Sequence, residues 1–180
     1  QVGESAVIVG PGTVGLLHLQ ALKAAGVARL IVVGLDADKI RFGIAEELGA
    51  TQIVNASHED PAAAVSKGIG GLGADILNET ASSPKVWDFL LDMMAANGRM
   101  SVFGLYPESK FQPLALIRRG VTLYGDVAFL PRHFMRAISW LEAGKVKARA
   151  LVTRRFHLDQ AGEAFEVFKN KETVKCLFEV

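Results

Sequence analysis

The sequence predicts an α/β domain in which a parallel sheet is covered on both faces by helices. Short runs of continuous Val, Ile and Leu recur along the chain, and such runs are typical of strands that are buried on both faces of a sheet. Between them lie segments with apolar residues at helical spacing, so that strand and helix alternate as in βαβ units. The alternation continues without a sequence repeat or a low-complexity linker. We therefore expect a single domain whose two βαβαβ halves share one doubly wound sheet.

The first half of the chain supplies four predicted strands and three predicted helices. Gly26 and Gly49 follow two of the helices, where glycine commonly ends a helix, and Pro61 suits the first turn of the third. The predicted strands are 5–9, 30–33, 52–54 and 74–77, and the predicted helices are 16–25, 40–48 and 60–67.

The second half repeats the same rhythm. Gly144 closes one of its helices, and a mainly apolar stretch around Cys176 lies near the end of the chain. The predicted strands are 99–103, 121–124 and 174–179, and the predicted helices are 84–95, 132–143 and 158–168.

Charge and composition narrow the functional class. The chain carries 20 Lys and Arg against 19 Asp and Glu, and its densest basic spots are only the pairs Arg118-Arg119 and Arg154-Arg155. Nucleic-acid and membrane-surface proteins need a clustered basic field, so we expect neither partner. No apolar run is long enough to span a bilayer, and no signal-peptide pattern opens the chain.

Cysteine and histidine content bears on metal sites and on the cellular compartment. Cys176 is the only cysteine, and it has no partner in the chain for a disulfide, which suits a reducing cytoplasm. The four histidines are scattered without metal-ligand spacing, so we expect no metal in this chain. The chain begins with Gln1 instead of Met and enters a strand almost at once. We expect this of a fragment cut at a domain border.

A glycine loop follows the first predicted strand and opens the first helix, with the sequence Gly10-Pro11-Gly12-Thr13-Val14-Gly15. Gly10 permits the tight turn, Gly12 lets a diphosphate approach the backbone, and Gly15 lets the helix pack close to the strand. The free N–H groups at the helix start, around Thr13 and Val14, offer an anion site at the positive end of the helix dipole. The motif in this context predicts a Rossmann-type dinucleotide site. Its alternative is a tight turn without a ligand.

The end of the second strand should carry an acidic residue that accepts hydrogen bonds from the ribose hydroxyls. Gly34 stands at the expected position, and Asp36 is the nearest carboxylate. Lys39 and Arg41 would attract the 2′-phosphate of NADP, whereas Asp36 and Asp38 would oppose it. An ordinary helix start with Asp36 as its cap explains the same residues. The cofactor is NAD or NADP, and the charges favour NAD only slightly.

The segments Val7 to Gly15 and Ala45-Glu46-Glu47-Leu48-Gly49-Ala50 resemble the medium-chain dehydrogenase/reductase family, and its zinc-dependent alcohol and polyol dehydrogenases most of all. Later landmarks agree with this resemblance along nearly the whole chain. They are Gly73-Ala74-Asp75, Asn78-Glu79-Thr80, Asn97-Gly98-Arg99 and Val174-Lys175-Cys176-Leu177.

The resemblance implies an NAD(P)-dependent oxidoreductase that transfers hydride between an alcohol and the nicotinamide. It further implies an N-terminal catalytic domain, absent from this sequence, that carries the zinc, the proton relay and most of the substrate pocket. Residues 1–153 would then form the NAD(P)-binding domain. The helix and strand of 154–180 would pack back toward the absent domain. No catalytic residue is expected in this chain, and the fragment alone should be inactive. Family members commonly pair cofactor domains edge to edge, which makes 121–124 the candidate edge of a dimer or tetramer.

The resemblance also assigns further cofactor contacts at the ends of later strands. Backbone groups near the nicotinamide are expected around the end of the predicted strand 99–103 and in the segment 125–128. Two residues that follow the predicted strand 74–77 should line the cleft. A lysine in the last predicted strand, 174–179, would reach the pyrophosphate. These residues are Thr80, Ala81, Val102, Phe103, Gly104, Asp126, Ala128 and Lys175. Sheet packing for the apolar ones, and a solvated position for Lys175, are the alternatives.

Three other functions remain open at this stage. A zinc-free quinone or enone reductase of the same family would share this half, and only the absent domain separates the two. A module that senses NAD(H) without chemistry would not need the returning tail. A methyltransferase would need an acidic residue where Gly34 stands.

The pair Tyr106 and Lys110 has the spacing of a short-chain dehydrogenase site. Pro107 predicts a loop there, however, and in a loop the two side chains would not share a helical turn.

Overall fold

A parallel six-stranded sheet forms the centre of the computed structural model, which describes residues 2–110, 112–125 and 129–180. Its strands are β1 (Ser5–Val9), β2 (Arg29–Gly34), β3 (Gln52–Asn55), β4 (Ala74–Glu79), β5 (Met94–Val102) and β6 (Thr122–Gly125). They are hydrogen-bonded in the order β3-β2-β1-β4-β5-β6, and every neighbouring pair is parallel. From the central β1, the strands β2 and β3 therefore extend the sheet in one direction, and β4, β5 and β6 extend it in the other. The predicted doubly wound, Rossmann-type fold is confirmed.

Helices connect most of the strands, and a second, small sheet follows them. The helices are α1 (Thr13–Ala24), α2 (Lys39–Leu48), α3 (Pro61–Gly68), α4 (Pro113–Arg119), α5 (Pro131–Glu142) and α6 (Ala161–Lys169). The small sheet is a parallel pair, β7 (Val152–His157) and β8 (Lys175–Glu179). In the described residues, no helix combines the length and the apolar character that crossing a membrane would require.

The two faces of the sheet each cover a separate core. In β1, Val7 and Val9 belong to one apolar cluster, and Ala6 and Ile8 to the other. All four side chains are buried. Successive residues of a strand point to opposite faces, so a strand covered on both faces needs an apolar residue at every position. This is the physical reason for the continuous apolar runs in the sequence.

The prediction of a helix over 84–95 is wrong. The segment forms two short 3₁₀ turns, Pro84–Asp88 and Leu91–Met93, and β5 begins immediately afterwards. Met94 pairs with Ala74 of β4, so the backbone is already extended where a helix was expected. Pairing with a neighbouring strand outweighs the local helical pattern here. The helix Pro113–Arg119 and the strand Val152–His157 were not predicted, and β5 begins five residues before its predicted start.

The C-terminal segment is attached to the main sheet through its core and through hydrogen bonds. Leu151 and Val174 are buried in the same cluster as residues of β1 and α1. The Thr13 hydroxyl, at the start of α1, donates to the Val174 carbonyl at 2.9 Å. The Thr153 and Thr173 hydroxyls lie 2.6 Å apart. The segment before β8 is therefore held beside the loop that follows β1.

Candidate functional site

A cavity of about 480 Å³ opens at the carboxyl ends of β1, β2 and β4. This is the switch point of the sheet, where the chain changes its direction of growth and where doubly wound folds bind their ligands. Most of the walls come from the ends of these three strands and the segments that follow them, and Ala56 after β3 and Lys171 near the C terminus complete the lining. The lining residues are Val9, Gly10, Pro11, Gly12, Val33, Gly34, Leu35, Asp38, Arg41, Ala56, Thr80, Ala81, Ser83, Lys85, Val86, Phe89 and Lys171.

Two glycines of the loop after β1 are required by the backbone conformation and by the packing around them. Gly10 has φ of +98°, and a Cβ there would lie 2.7 Å from the Cα of Ala81. At Gly15 a Cβ would overlap the carbonyl oxygen of Gly10 and come within 2.8 Å of the Thr80 Oγ1. Both positions therefore exclude a side chain because the loop, α1 and the end of β4 pack closely together.

Gly12 differs from these two glycines. Its backbone has φ of −71°, a value that any residue can adopt, and a Cβ there would meet no protein atom within 4 Å. Neither fold nor packing requires glycine at this position. It faces the cavity, and so the absence of a side chain leaves the backbone open to a bound molecule.

The N terminus of α1 provides hydrogen-bond donors at the same point. Gly12 is the N-cap residue and offers no side-chain acceptor, and the first turn contains no acidic residue. The first N–H groups of a helix, here those of Thr13, Val14 and Gly15, have no acceptor within the helix. Together with the helix dipole they favour an anion. This cradle of bare backbone fits a diphosphate. Thr13 and Val14 lie beside the cavity lining, not in it.

Thr80 holds the glycine loop in place through hydrogen bonds. Its hydroxyl lies 2.9 Å from the carbonyl oxygen of Val9 and 2.8 Å from that of Gly10, so it shares its hydrogen between them. Its backbone N–H donates to the Val9 carbonyl as well. Thr80 and Ala81, both named from the sequence, line the cavity, and Thr80 also holds the glycine loop in place.

Gly34 at the end of β2 is excluded sterically from carrying a side chain. A Cβ there would lie 2.7 Å from the Phe42 ring and 3.0 Å from the Pro11 Cδ. An acidic residue at this position would have to displace both. The missing carboxylate of the motif therefore has a packing reason that the sequence pattern did not reveal.

A buried carboxylate reaches the cavity from four residues farther along the chain. Asp38 accepts a hydrogen bond from the Leu35 N–H at 3.1 Å and from the Arg41 guanidinium at 2.8 Å. The side chains of Arg41 and Asp38 are only 11% and 6% exposed. Lys171, which has φ of +59°, brings its ammonium within 3.7 Å of the same carboxylate. Arg41 donates to the Thr173 carbonyl as well, and its Nε is buried without an acceptor among the described residues.

The charges that line the cavity sum to an excess of positive charge. Arg41, Lys85 and Lys171 contribute three cations and Asp38 one anion. Asp38, Lys85 and Lys171 were not assigned to the site from the sequence. Lys171 lies 133 residues from Asp38 along the chain, and no local motif marks it. Such an excess suits a ligand with two negative charges.

Asp36 and Lys39 do not line the cavity. The Asp36 carboxylate lies 2.7 Å from the Asn55 amide nitrogen and 2.7 Å from the His58 ring nitrogen. These contacts, that of Asn55 first, lower the pKa of Asp36, so the group is ionised at neutral pH. Lys39 is exposed at the first position of α2.

Another group of residues named from the sequence lies at the end of β5. Val102 ends the strand, and the Phe103 ring contacts the His18 ring edge to face at 4.4 Å. Burial lowers the pKa of His18, which keeps this ring neutral. Gly104 donates its N–H to Glu79 at 3.0 Å. Val102, Phe103 and Gly104 are all absent from the cavity lining.

Three further sequence assignments lie elsewhere. Asp126 and Ala128 are outside the described residues. Lys175 is the first residue of β8 and lines a separate cavity of about 150 Å³ together with Phe165, Phe168 and others. Among residues 2–110, 112–125 and 129–180 there is no group of three or more His, Cys, Asp or Glu side chains that could hold a metal ion.

Comparison with known proteins gives a consistent result. Residues 13–143 match the family model described as zinc-binding dehydrogenase. The chain is 29% identical over 177 residues to sorbitol dehydrogenase from Halalkalibacterium halodurans, covering 97% of this chain and 51% of that protein. It is 30% identical over 186 residues to L-threonine 3-dehydrogenase from Pyrococcus horikoshii, covering 98% of this chain and 51% of the relative.

Solved structures agree with the sequence matches. The chain is similar to 2R,3R-butanediol dehydrogenase from Bacillus subtilis, with a TM-score of 0.88, 29% identity, and coverage of 100% of this chain and 52% of that one. It is also similar to benzyl alcohol dehydrogenase from Acinetobacter calcoaceticus, with a TM-score of 0.89, 26% identity, and coverage of 100% and 50%. The chain thus spans about half the length of the relatives that it matches.

Proposed function

Because the chain belongs to the zinc-binding dehydrogenase family, we propose that it is the cofactor-binding half of an alcohol or polyol dehydrogenase. The bound nicotinamide dinucleotide would supply the hydride acceptor or donor. This chain's own residues would bind the cofactor and orient it. The observation that carries the proposal is Gly12, a position that needs no glycine for folding and yet leaves bare backbone open to the cavity.

The loop around Gly12 supports a diphosphate as the group that is held. The Gly12 backbone and the free N–H groups of Thr13, Val14 and Gly15 would approach the two phosphates, since the helix dipole favours negative charge there. Lys85 and Lys171 add positive charge along the cavity wall. Beyond the glycine loop, the loop after β4 lines the cavity, and the nicotinamide would lie past it, toward Phe103 and Gly104 at the end of β5.

The charge pattern after β2 favours NAD(H) over NADP(H). Asp38 lines the cavity and engages both Arg41 and Lys171, the two cations that would otherwise attract a 2′-phosphate. The ionised Asp36 adds a second negative charge close by. A 2′-phosphate would have to break the contacts of Asp38 and then lie beside its charge. A ribose with two hydroxyls carries no such penalty.

The substrate proposed for the whole protein is an alcohol or a polyol. Relatives named for sorbitol, threonine and butanediol support this class. Zinc, if the whole protein uses it, would be held by residues outside this chain. In this scheme residues 1–153 bind the cofactor, and residues 154–180 contact the domain that binds the substrate. The exposed apolar side chains of Phe165 and Phe168 on α6, and of Phe178 on β8, support such a contact.

We further propose that the chain forms a homo-oligomer through β6. This strand is an edge of the six-stranded sheet, and all four of its residues are exposed. Side chains of α5 next to it in the chain, Phe134, Met135 and Leu141, are large, apolar and exposed. An unpaired strand edge beside apolar surface is suited to pairing with the same edge of a second copy.

Titration of the chain with NADH and with NADPH, followed by calorimetry and by energy transfer from Trp87 to the dihydronicotinamide, tests the cofactor assignment. We expect NADH to bind at least about tenfold more tightly than NADPH, a difference of roughly 1.4 kcal/mol. Gly12→Asp is the matched variant. Aspartate is a good N-cap and should keep or raise the free energy of unfolding by a few tenths of a kcal/mol.

The same aspartate places a charge where the diphosphate would lie, so that binding of either dinucleotide should weaken more than about a hundredfold, roughly 2.7 kcal/mol. A stable Gly12→Asp protein that binds NADH as well as the parent does would contradict the proposed site. Equal affinity of the parent for NADH and NADPH would contradict only the preference for NAD.

A further inference from the structure

We propose that Glu79 is a positioning residue for the nicotinamide half of the cofactor, holding the loops after β4 and β5 in one fixed arrangement. Glu79 is the last residue of β4 and is 0% exposed. It was not assigned to the site from the sequence, and it does not line the cavity. The proposal rests on the proposed function, because it concerns the shape of the same cleft.

The Glu79 carboxylate accepts hydrogen bonds from two different loops. Its Oε1 accepts from the N–H groups of Ala81 at 2.7 Å and Ser82 at 3.2 Å, both in the loop after β4. Its Oε2 accepts from the N–H of Gly104 at 3.0 Å and from the Tyr106 hydroxyl at 3.3 Å, both after β5. One buried side chain therefore joins the loop after β4, which lines the cavity, to the loop after β5 beside it.

The direction of these hydrogen bonds specifies a carboxylate. The Tyr106 oxygen accepts from the Trp87 indole N–H at 2.6 Å, so its own hydrogen is available for Glu79. The other partners are backbone N–H groups, which can only donate. All four contacts of Glu79 are with donors. An amide side chain of the same size offers one accepting oxygen and an NH₂ group, and the NH₂ group would face donors.

Further contacts join the same two loops to each other and to β4. The Phe103 N–H donates to the Glu79 carbonyl at 2.8 Å, and the Leu105 N–H donates to the Ser82 hydroxyl at 3.3 Å. Ser82 has φ of +52°, a left-handed conformation that a serine adopts only when its surroundings impose it. A Cβ at Gly104 would overlap the Glu79 carboxylate. The carboxylate thus occupies the space beneath both loops.

A second carboxylate on β4, Asp75, allows the positioning role of Glu79 to be separated from a purely structural one. Asp75, at the other end of β4, is also a carboxylate that accepts hydrogen bonds from a neighbouring segment. It accepts from the Ser5 N–H at 2.8 Å and from the Ser5 hydroxyl at 2.7 Å. Asp75 supports the same strand but lies near its amino end, away from the carboxyl ends of the strands where the cavity opens. It therefore provides a matched control for Glu79.

Two ligands distinguish the ends of the cleft. NADH carries the nicotinamide, whereas ADP-ribose has the adenosine and the diphosphate without it. We expect Glu79→Gln to weaken NADH about tenfold and to change ADP-ribose less than about twofold. The emission of bound NADH should also shift toward that of free NADH, because the dihydronicotinamide is held less firmly. In Asp75→Asn the affinities for NADH and ADP-ribose should keep the ratio found in the parent.

Each other outcome overturns the inference. An equal loss of both ligands in Glu79→Gln would mean that the carboxylate only stabilises the fold, and unchanged binding of both would mean that the loops do not depend on it. If Glu79→Gln does not fold, Tyr106→Phe removes a single donor to the same carboxylate. That variant should weaken NADH about twofold to threefold without affecting ADP-ribose, and a loss shared by both ligands would again contradict the role. If the parent binds neither ligand, the proposed function itself fails, and this inference with it.

Discussion

At the scale of single residues, the cavity contains one anion that engages two cations. Asp38 contacts Arg41 at 2.8 Å and Lys171 at 3.7 Å, and Arg41 is fixed further by the Thr173 carbonyl. The Arg41 guanidinium is nearly buried, so its charge depends on Asp38 for compensation. The negative charge of Asp38 therefore compensates two of the positive charges that line the cavity.

We expect Asp38→Asn to shift binding toward NADPH. Asparagine keeps an acceptor for the Leu35 N–H, but it no longer compensates Arg41 and Lys171, which become available to a 2′-phosphate. The ratio of the two dissociation constants should change at least about tenfold in favour of NADPH, roughly 1.4 kcal/mol. The free energy of unfolding should fall by about 1–3 kcal/mol, because Arg41 loses its buried partner.

Asp36→Asn is the control for this measurement. Asp36 carries the same charge two residues away but contacts Asn55 and His58 outside the cavity lining. Its substitution should change the NADPH preference less than that of Asp38, measured by calorimetry with both cofactors. If the two variants shift the preference equally, general charge and not the contacts of Asp38 determines the selectivity.

At the scale of elements, the sequence predicts those strands and helices whose pattern is local. β1 and β2 contain continuous apolar runs and β4 has a shorter apolar segment, while glycines follow α1 and α2 closely, so their predicted existence and type are correct. The helix prediction for 84–95 is wrong because the apolar side chains of this segment are buried on several sides and the backbone of Met94 pairs with β4. Periodicity alone does not separate such a segment from a helix.

The same distinction applies to the site. The glycine loop could be recognised in the sequence because its six residues are consecutive, and the function proposed for it follows from backbone geometry. Glu79 and the pair of Asp38 and Lys171 were not named as site residues, since their contacts form only when distant segments meet. Gly34 was recognised as a departure from the motif, but its cause, contact with Phe42 and Pro11, is a matter of packing.

β4 allows a prediction of pH dependence at its amino-terminal end. The Ser5 backbone N–H above all, and then the Ser5 hydroxyl, lower the pKa of Asp75 below its ordinary value of 3.8. A lowered pKa in the folded state means that the ionised carboxylate stabilises the fold above pH 3.8. This contribution is lost as the pH falls below that value through the lower pKa of the folded protein.

Asp75→Asn should therefore be less stable than the parent at pH 7, by roughly 1 kcal/mol since Asp75 is partly exposed. The difference should shrink toward zero as the pH falls to about 2–3. Urea denaturation of both proteins across this range is the measurement. A difference that stays constant down to the lowest pH at which both fold would show that the charge of Asp75 contributes nothing.

At the scale of the whole molecule, apolar burial is unequal between the two halves of the chain. The resemblance to medium-chain dehydrogenases is confirmed by the family match, and the chain spans about half the length of its relatives. β1 is wholly buried, whereas α4, β6 and α5 contain no buried residue in the described part of the chain. Leu105 and Ile117 are almost fully exposed. Large exposed apolar surfaces of this kind mark contacts with other protein surfaces.

The edge strand β6 allows a direct test of such a contact. Leu123 and Tyr124 are 41% and 54% exposed on this strand. If two copies pair at β6, residues at that edge approach their own counterparts, and a lysine on each side would place like charges close together. We expect the parent chain to be a dimer in sedimentation equilibrium and Leu123→Lys to be monomeric. The dissociation constant of the dimer should rise at least about a hundredfold, roughly 2.7 kcal/mol.

Leu72→Lys is the matched control, because Leu72 is an even more exposed leucine in the loop before β4. Its oligomeric state should equal that of the parent. A Leu123→Lys protein that remains dimeric, or a parent that is monomeric at every concentration, would exclude β6 as the interface and leave the exposed apolar side chains of α4 and α5 without a role in self-association.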